Sequence, residues 1–263
     1  MTFEEYIKNP MGPKASVVTN RYLYQEMYTN KWNTLLVRED GKIAYKLYKT
    51  DDDYYIHIKI PSEVVPKFYY DTIIKFYLTK ENKTHMSDRT LSNYEVQFYS
   101  NDPHFVYSFA HAFRTHKLLI PDLEFKMTKQ ALEEKAVIKN PKDELGYVKS
   151  LYFAYLQMKN LNLFEKNRWN IAEKYTSNIW KKVVEHASDK IQKRQELGRA
   201  IQKKEKREKK TQKISTKIVN KLKPFVSPNI PNFGHIKKIN FNKKPTLITS
   251  TIKEAINKIK KKK

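Results

Sequence analysis

IAYKLYKTDDDYYIHIKI, residues 43–60, is the stretch on which the fold turns. Ile43, Tyr45 and Leu47 alternate with Ala44, Lys46 and Tyr48; beyond Asp51-Asp52-Asp53 the same period returns as Ile56, Ile58 and Ile60 against Tyr55, His57 and Lys59. Neighbouring side chains of a strand point to opposite faces, so this pattern around a polar turn predicts a β-hairpin with one apolar face. On that reading His57 lies opposite the isoleucines, half-exposed. Ile74, Phe76 and Leu78 continue the alternation, as do Tyr94, Val96 and Phe98. Together they predict a mostly antiparallel sheet with one buried face.

Upstream, Lys14 to Val37 reads as a lead-in and a short helix, with Tyr22, Tyr24, Met27 and Tyr28 available for packing. Downstream, Asp102 suits an N-cap and Pro103 the first helical position, after which Val106, Phe109, Ala110 and Phe113 build one apolar helix face. Asn140-Pro141 opens a second expected helix, with Asp143 and Glu144 in its first turn and a stripe of Val148, Leu151, Tyr152 and Tyr155. Strands followed by helices predict an α+β fold over residues 1–168: a mostly antiparallel sheet covered by helices.

A long basic helical region is expected over 169–222. Ile171, Tyr175, Ile179, Val183, Ala187 and Ile191 recur every fourth residue, which suits packing on the body. The pattern then stops. Gln202 to Lys213 holds no apolar residue, seven basic and two acidic ones, a net of +5. Such a stretch has no stripe to bury, so as a helix it must be exposed or lie on an acidic partner. Pro224, Pro228, Pro231 and Pro245 forbid a continuing helix, so 223–263 is expected to be an extended arm. Thr251 and Glu254 form a capping box ahead of a short terminal amphipathic helix with Ala255, Ile256 and Ile259.

Charge is partitioned sharply. Of the net +24, residues 181–263 carry 26 basic and 6 acidic residues, a net of +20, and residues 1–180 carry only +4. A field of that sign attracts nucleic acid, anionic membrane or acidic protein, and says nothing about fold. Lys203, Lys204, Lys206, Arg207, Lys209, Lys210 and Lys213 are the candidate nucleic-acid contacts. Phe225, Ile230, Phe233 and Phe241 are spaced through the arm as partner-docking anchors, since extended apolar segments lie well across another subunit or along a sheet edge. The same phenylalanines among lysines could instead stack unpaired bases. Arginine is scarce there, which disfavours base-specific readout.

Chemistry-bearing patterns are few. The chain has no Cys, which removes disulfides, thiolate metal sites and thiol nucleophiles. Gly12, Gly41, Gly146, Gly198 and Gly234 form neither a phosphate loop nor a dinucleotide fingerprint, and there is no nucleophile elbow. His104 and His111 are seven apart, too far to share a metal as an i, i+4 pair would, and His116 suits a helix C-terminus. Asp51 to Asp53 resembles a strand-ending turn more than a cation site, and Glu133, Glu134 and Lys135 a solvated helix face. No cofactor, no metal and no catalytic residue is expected, and the expectation is a protein that is not an enzyme. Neither a signal peptide at the N-terminus nor a transmembrane run is legible, and no membrane role is expected.

Ser100-Asn101-Asp102-Pro103 with its Phe-rich sequel, Asn140-Pro141-Lys142 leading to Gly146-Tyr147-Val148-Lys149-Ser150-Leu151-Tyr152, and the opening Tyr6-Ile7-Lys8-Asn9-Pro10-Met11-Gly12 resemble uncharacterised proteins of tailed bacteriophages, over roughly the first 165 residues. The resemblance implies a virion structural component, with no catalytic residues to carry over. The expected function is therefore a non-enzymatic virion structural protein, located in the particle and in the host cytoplasm during assembly. Its partners would be other virion proteins or copies of itself, in an oligomeric assembly, with nonspecific DNA as a further partner. The competing expectation is an intracellular phage nucleic-acid-binding factor for replication or host takeover.

Overall fold

The computed structural model describes residues 1–8, 18–79 and 89–222, with side chains over 1–8, 23–79 and 89–212. The expected arm, with Phe225, Ile230, Phe233, Phe241 and the terminal amphipathic helix, lies outside the described residues. The chain divides into two compact units, Met1–Arg207 and Glu208–Lys263.

Helices α1 (Phe3–Lys8) and α2 (Val18–Arg38) precede strands β1 (Tyr45–Lys49), β2 (Tyr54–Pro61), β3 (Tyr69–Tyr77) and β4 (Glu95–Ser100). The expected hairpin is β1–β2, paired antiparallel with Leu47 opposite Ile56. Its turn is fixed by Thr50, whose hydroxyl accepts the Asp53 backbone N–H at 2.8 Å. At 21 residues α2 is longer than the short helix expected, and it buries Tyr28, Trp32 and Leu35 at helical spacing. Then come α3 (Pro103–Ser108), α4 (Ala110–Thr115), a 3-10 turn at Pro121–Lys126, α5 (Lys129–Glu133), α6 (Lys149–Asn160), a second 3-10 turn at Lys166–Ile171, strand β5 (Glu173–Lys174), α7 (Ile179–Val183) and α8 (Ala187–Leu222). The sheet runs β4-β3-β2-β1-β5, antiparallel except where β5 joins β1 in parallel. This is the expected α+β architecture.

One face carries Ile56, Ile58, Ile74, Phe76, Val96 and Phe98 under α1, α4 and α6. Phe3 meets Phe98 at 5.1 Å between ring centroids, and Phe113 meets the same ring at 5.8 Å. Trp32 of α2 lies against Phe153 of α6 at 5.2 Å, so α2 forms a second layer over this face.

The expectation of a single buried face is corrected. Tyr48, Tyr55, His57, Asp71, Ile73 and Tyr99 point the other way and are buried too, with His57 only 4% exposed rather than half-exposed. Their cover is the start of the stretch expected to be helical over 169–222. It is instead broken. Tyr175 donates its N–H to the Lys49 carbonyl at 2.8 Å, continuing the edge begun by β5, and its ring stacks on Tyr55 at 4.2 Å. Trp180 of α7 stands edge-on to Tyr48 at 5.4 Å. Strand pairing and aromatic packing thus replace the helical stripe, and Ile171 is left 79% exposed. Trp169, Trp180, Val184, Ala187 and Ile191 all join the core, within the compact unit Met1–Arg207.

Two helix expectations are also adjusted. Asp102 does cap α3, accepting the His104 N–H at 3.1 Å, but the helix breaks at Phe109 (φ −133°), splitting it from α4. The Phe109 ring fills the space beside Gly146, where a Cβ would meet it at 2.5 Å, so a larger residue there would have to displace that ring. Asn140 does not open a helix. Its side chain donates to the Glu144 carbonyl (2.8 Å) and accepts the Glu144 N–H (3.0 Å), while Asp143 takes φ 55°. This local bonding competes with helix formation, and α6 starts only at Lys149.

Candidate nucleic-acid interface

Helix α8 has no proline and is rich in Lys, Gln, Arg and Glu, which favour helix intrinsically. Its first part is fixed by burial. Ala187, Lys190, Ile191, Arg194, Gly198 and Ile201 recur at three- and four-residue steps and are buried or half-buried. Ile201 ends this seam against Val65, Phe68 and Tyr70. The start is tied down electrostatically. Glu185 accepts from Lys193 at 2.8 Å and pairs with Lys190 at 3.4 Å, and the Lys193 hydrogen bond chiefly holds its carboxyl below the usual range.

From Gln202 to Gln212 every residue is exposed. Here lie Lys203, Lys204, Lys206 and Arg207, and further along the same helix Lys209 and Lys210; Lys213 is helical, with its side chain outside the described ones. Arg199, Lys203, Lys206 and Arg207 stand at i, i+4, i+7 and i+8, the spacing of one helix face. Glu205, two residues past Lys203, falls roughly 200° away, on the other side. That basic face spans about 12 Å of axis at 1.5 Å per residue, the length of roughly three to four phosphates along one duplex strand. Of the expected site, the structure thus brings Lys203, Lys206 and Arg207 onto one face, and places Lys204 off it.

One polar cluster was not legible in the sequence. Asp71, fully buried, receives His57 Nε2 at 2.8 Å and the Lys59 ammonium on one carboxylate oxygen, and Asn101 Nδ2 at 2.8 Å on the other. Its N–H donates to Asn101 Oδ1 at 2.7 Å. Burial alone would raise this carboxyl, but the hydrogen bonds and charges of His57 and Lys59 outweigh it and hold it well below the usual carboxylate range. With its oxygens occupied by donors on neighbouring strands, Asp71 serves as a charged clamp between β2, β3 and Asn101.

His104 is a half-buried titratable group on α3. Its Nδ1 has no partner and its ring lies edge-on to Phe109 at 5.2 Å, so burial lowers its pKa. His111 instead reaches Asp143 at 2.6 Å. Asp53 pairs with Lys75 at 2.9 Å. Among the described residues no three His, Asp or Glu side chains converge as a metal site would require, and no helix is long and apolar enough to cross a membrane.

Comparison with protein-family models, with curated proteins and with solved structures found no match to this chain.

Proposed function

We propose that this chain is a non-enzymatic structural component of a tailed-bacteriophage particle, and that α8 is its contact with packaged nucleic acid. The observation that carries the reading is the run from Gln202 to Gln212, exposed throughout, with Lys203, Lys206 and Arg207 on one face. A helix with no apolar stripe gains nothing from burial in its own body, and its surplus of ammonium and guanidinium groups suits a polyanion. Lysines predominate, which suits phosphate contact without reading of bases. The resemblance in the first 165 residues supplies the setting, and the apolar residues Phe225, Ile230, Phe233 and Phe241 of the C-terminal arm supply docking on neighbouring subunits.

The test has two arms. Quantitative mass spectrometry of purified particles should find the protein at a fixed copy number. The isolated chain should bind duplex DNA weakly, without sequence preference, and release it near physiological ionic strength. Replacing Lys203, Lys204, Lys206 and Arg207 with Gln should abolish that binding. Absence from particles, together with salt-resistant single-strand binding that collapses when Phe225, Phe233 and Phe241 become Ala, would establish the intracellular-factor reading instead.

A further inference from the structure

A second basic site sits on the body itself, assembled from four separate elements. Lys42 precedes β1, Lys59 lies on β2, Lys67 in the β2–β3 turn and Lys190 on the first turn of α8. Together with Ala44, Phe68 and Tyr69 they line an open cleft of about 340 Å3. No carboxylate lines it.

Each lysine is held differently. Lys59 is anchored by Asp71. Lys190, its side chain 12% exposed, pairs with Glu185 and sits 4.9 Å over the Phe68 ring. Lys67 stands at φ 60°, a left-handed conformation that non-glycine residues seldom adopt. The turn that imposes it is built by Ser62, whose N–H donates to the Phe68 carbonyl at 2.7 Å and whose hydroxyl accepts from Val65 N–H at 3.2 Å. Neither Lys42 nor Lys67 pairs with a carboxylate among the described residues. Two of the four are neutralised, Lys59 by Asp71, which also holds His57, and Lys190 by Glu185, which also holds Lys193; Glu39, which accepts from the Tyr69 hydroxyl, pairs with Arg38 at 3.0 Å, and Asp40 forms no ion pair with Lys42 or Lys67. The cleft therefore keeps a surplus of positive charge beside Ala44 and Phe68.

We infer that this lysine cleft is a phosphate-binding site, and that the phosphates it takes are those of a nucleic-acid backbone, making it a second anchor on the body besides the basic face of α8. The identity of the ligand rests on the nucleic-acid reading of α8; the phosphate chemistry rests on the cleft alone. Compact ammonium groups with no arginine fork recognise phosphate as charge, not shape. An open cleft suits a continuous backbone passing across it better than an enclosed small molecule, which would need most of its surface buried.

The test uses the full chain and a labelled duplex DNA, with anisotropy followed across a salt series. Lys42→Gln combined with Lys67→Asn removes the two uncommitted charges, leaves Lys59 and Lys190 to their structural partners, and keeps a residue tolerant of positive φ at 67. Thermal melting should be unchanged. The logarithmic salt slope should shrink by about 1.8, at about 0.9 per lost contact, and affinity at 50 mM salt should fall by roughly tenfold or more. If the double variant keeps both slope and affinity while the α8 Gln variant loses binding, the cleft is not a phosphate anchor and the α8 reading stands. If both variants bind as the native chain does, both readings fall. A calorimetric titration with inorganic phosphate and with ATP distinguishes the source: micromolar binding that depends on Lys42 and Lys67, with an unchanged duplex slope, overturns the nucleic-acid assignment in favour of a small phosphorylated ligand.

Discussion

The two faces of the sheet come from the same strands and are sealed by different means. One buries Ile56, Ile58, Ile74, Phe76, Val96 and Phe98 under α1, which precedes the strands, α4, which follows them closely, and α6. The other buries Tyr48, Tyr55, His57 and Asp71 under Tyr175 and Trp180, residues that come from far downstream. The first face is held by apolar area and tolerates imperfect geometry; the second mixes aromatic contact with a buried ion cluster, whose worth depends on every partner being in place. The lesson is that the second face is the more fragile, because removing one partner leaves the others uncompensated.

That contrast can be broken most forcefully at Trp180. Trp180→Ala should cost about 3–5 kcal/mol as a large truncation in the core. Ile171→Ala, an exposed residue in the same segment, should stay within about 0.5 kcal/mol. Denaturant unfolding of the two variants checks this, and equal effects would mean the 171–184 segment is not a lid. Next comes Asp71→Ala, expected near 3 kcal/mol, the low end for a broken buried ion pair, because Lys59 is partly exposed and can turn to water. The sign of its pH dependence follows from the depressed carboxyl. Asp71 contributes its stability fully above the ordinary carboxylate value of 3.8 and loses it as pH falls below that value toward its lower folded one. Melting temperature of the native chain should therefore drop steeply below pH 4, and that part of the curve should flatten in the variant. The smallest expected effect sharpens the comparison at the sheet's rim. Lys67→Gly relieves a left-handed residue and should stabilise the fold by less than about 1 kcal/mol, since glycine's own entropy offsets part of the gain.

Much of the first face was legible in the sequence, and little of the second. The hairpin could be read because Ile56, Ile58 and Ile60 alternate cleanly beyond a triple-Asp turn, and the α3 start because Asp102-Pro103 is both cap and first-turn residue. Tyr55, His57 and Lys59 misled for a definite reason. Polar and amphipathic residues on alternate positions look solvated unless the partner that buries them is known, and here those partners lie on another strand (Asp71) or more than 100 residues away (Tyr175, Trp180). Asn140 misled because an Asx side chain with acids following reads equally as a cap or as a loop bonded to itself. The basic run of α8 was visible as composition, since charges in sequence order need no fold to find them. The lysine cleft was invisible, because Lys42, Lys59, Lys67 and Lys190 become neighbours only after the hairpin, the β2–β3 turn and α8 are in place.

The late lid also sets a timetable for biosynthesis. Strands β1 to β4 are complete once residue 100 has emerged from the ribosome, yet the segment that seals their second face extends to Ile191. At about 5–20 residues per second, the nascent sheet spends roughly 5–20 s with Tyr48, Tyr55 and Tyr99 open to solvent. Through that interval the β1 edge, which β5 will later close, is also an unpaired template for any passing strand. The nascent chain is most in need of chaperone cover between those two points of synthesis, and a translational pause after residue 191 would protect it where a pause near residue 110 would not.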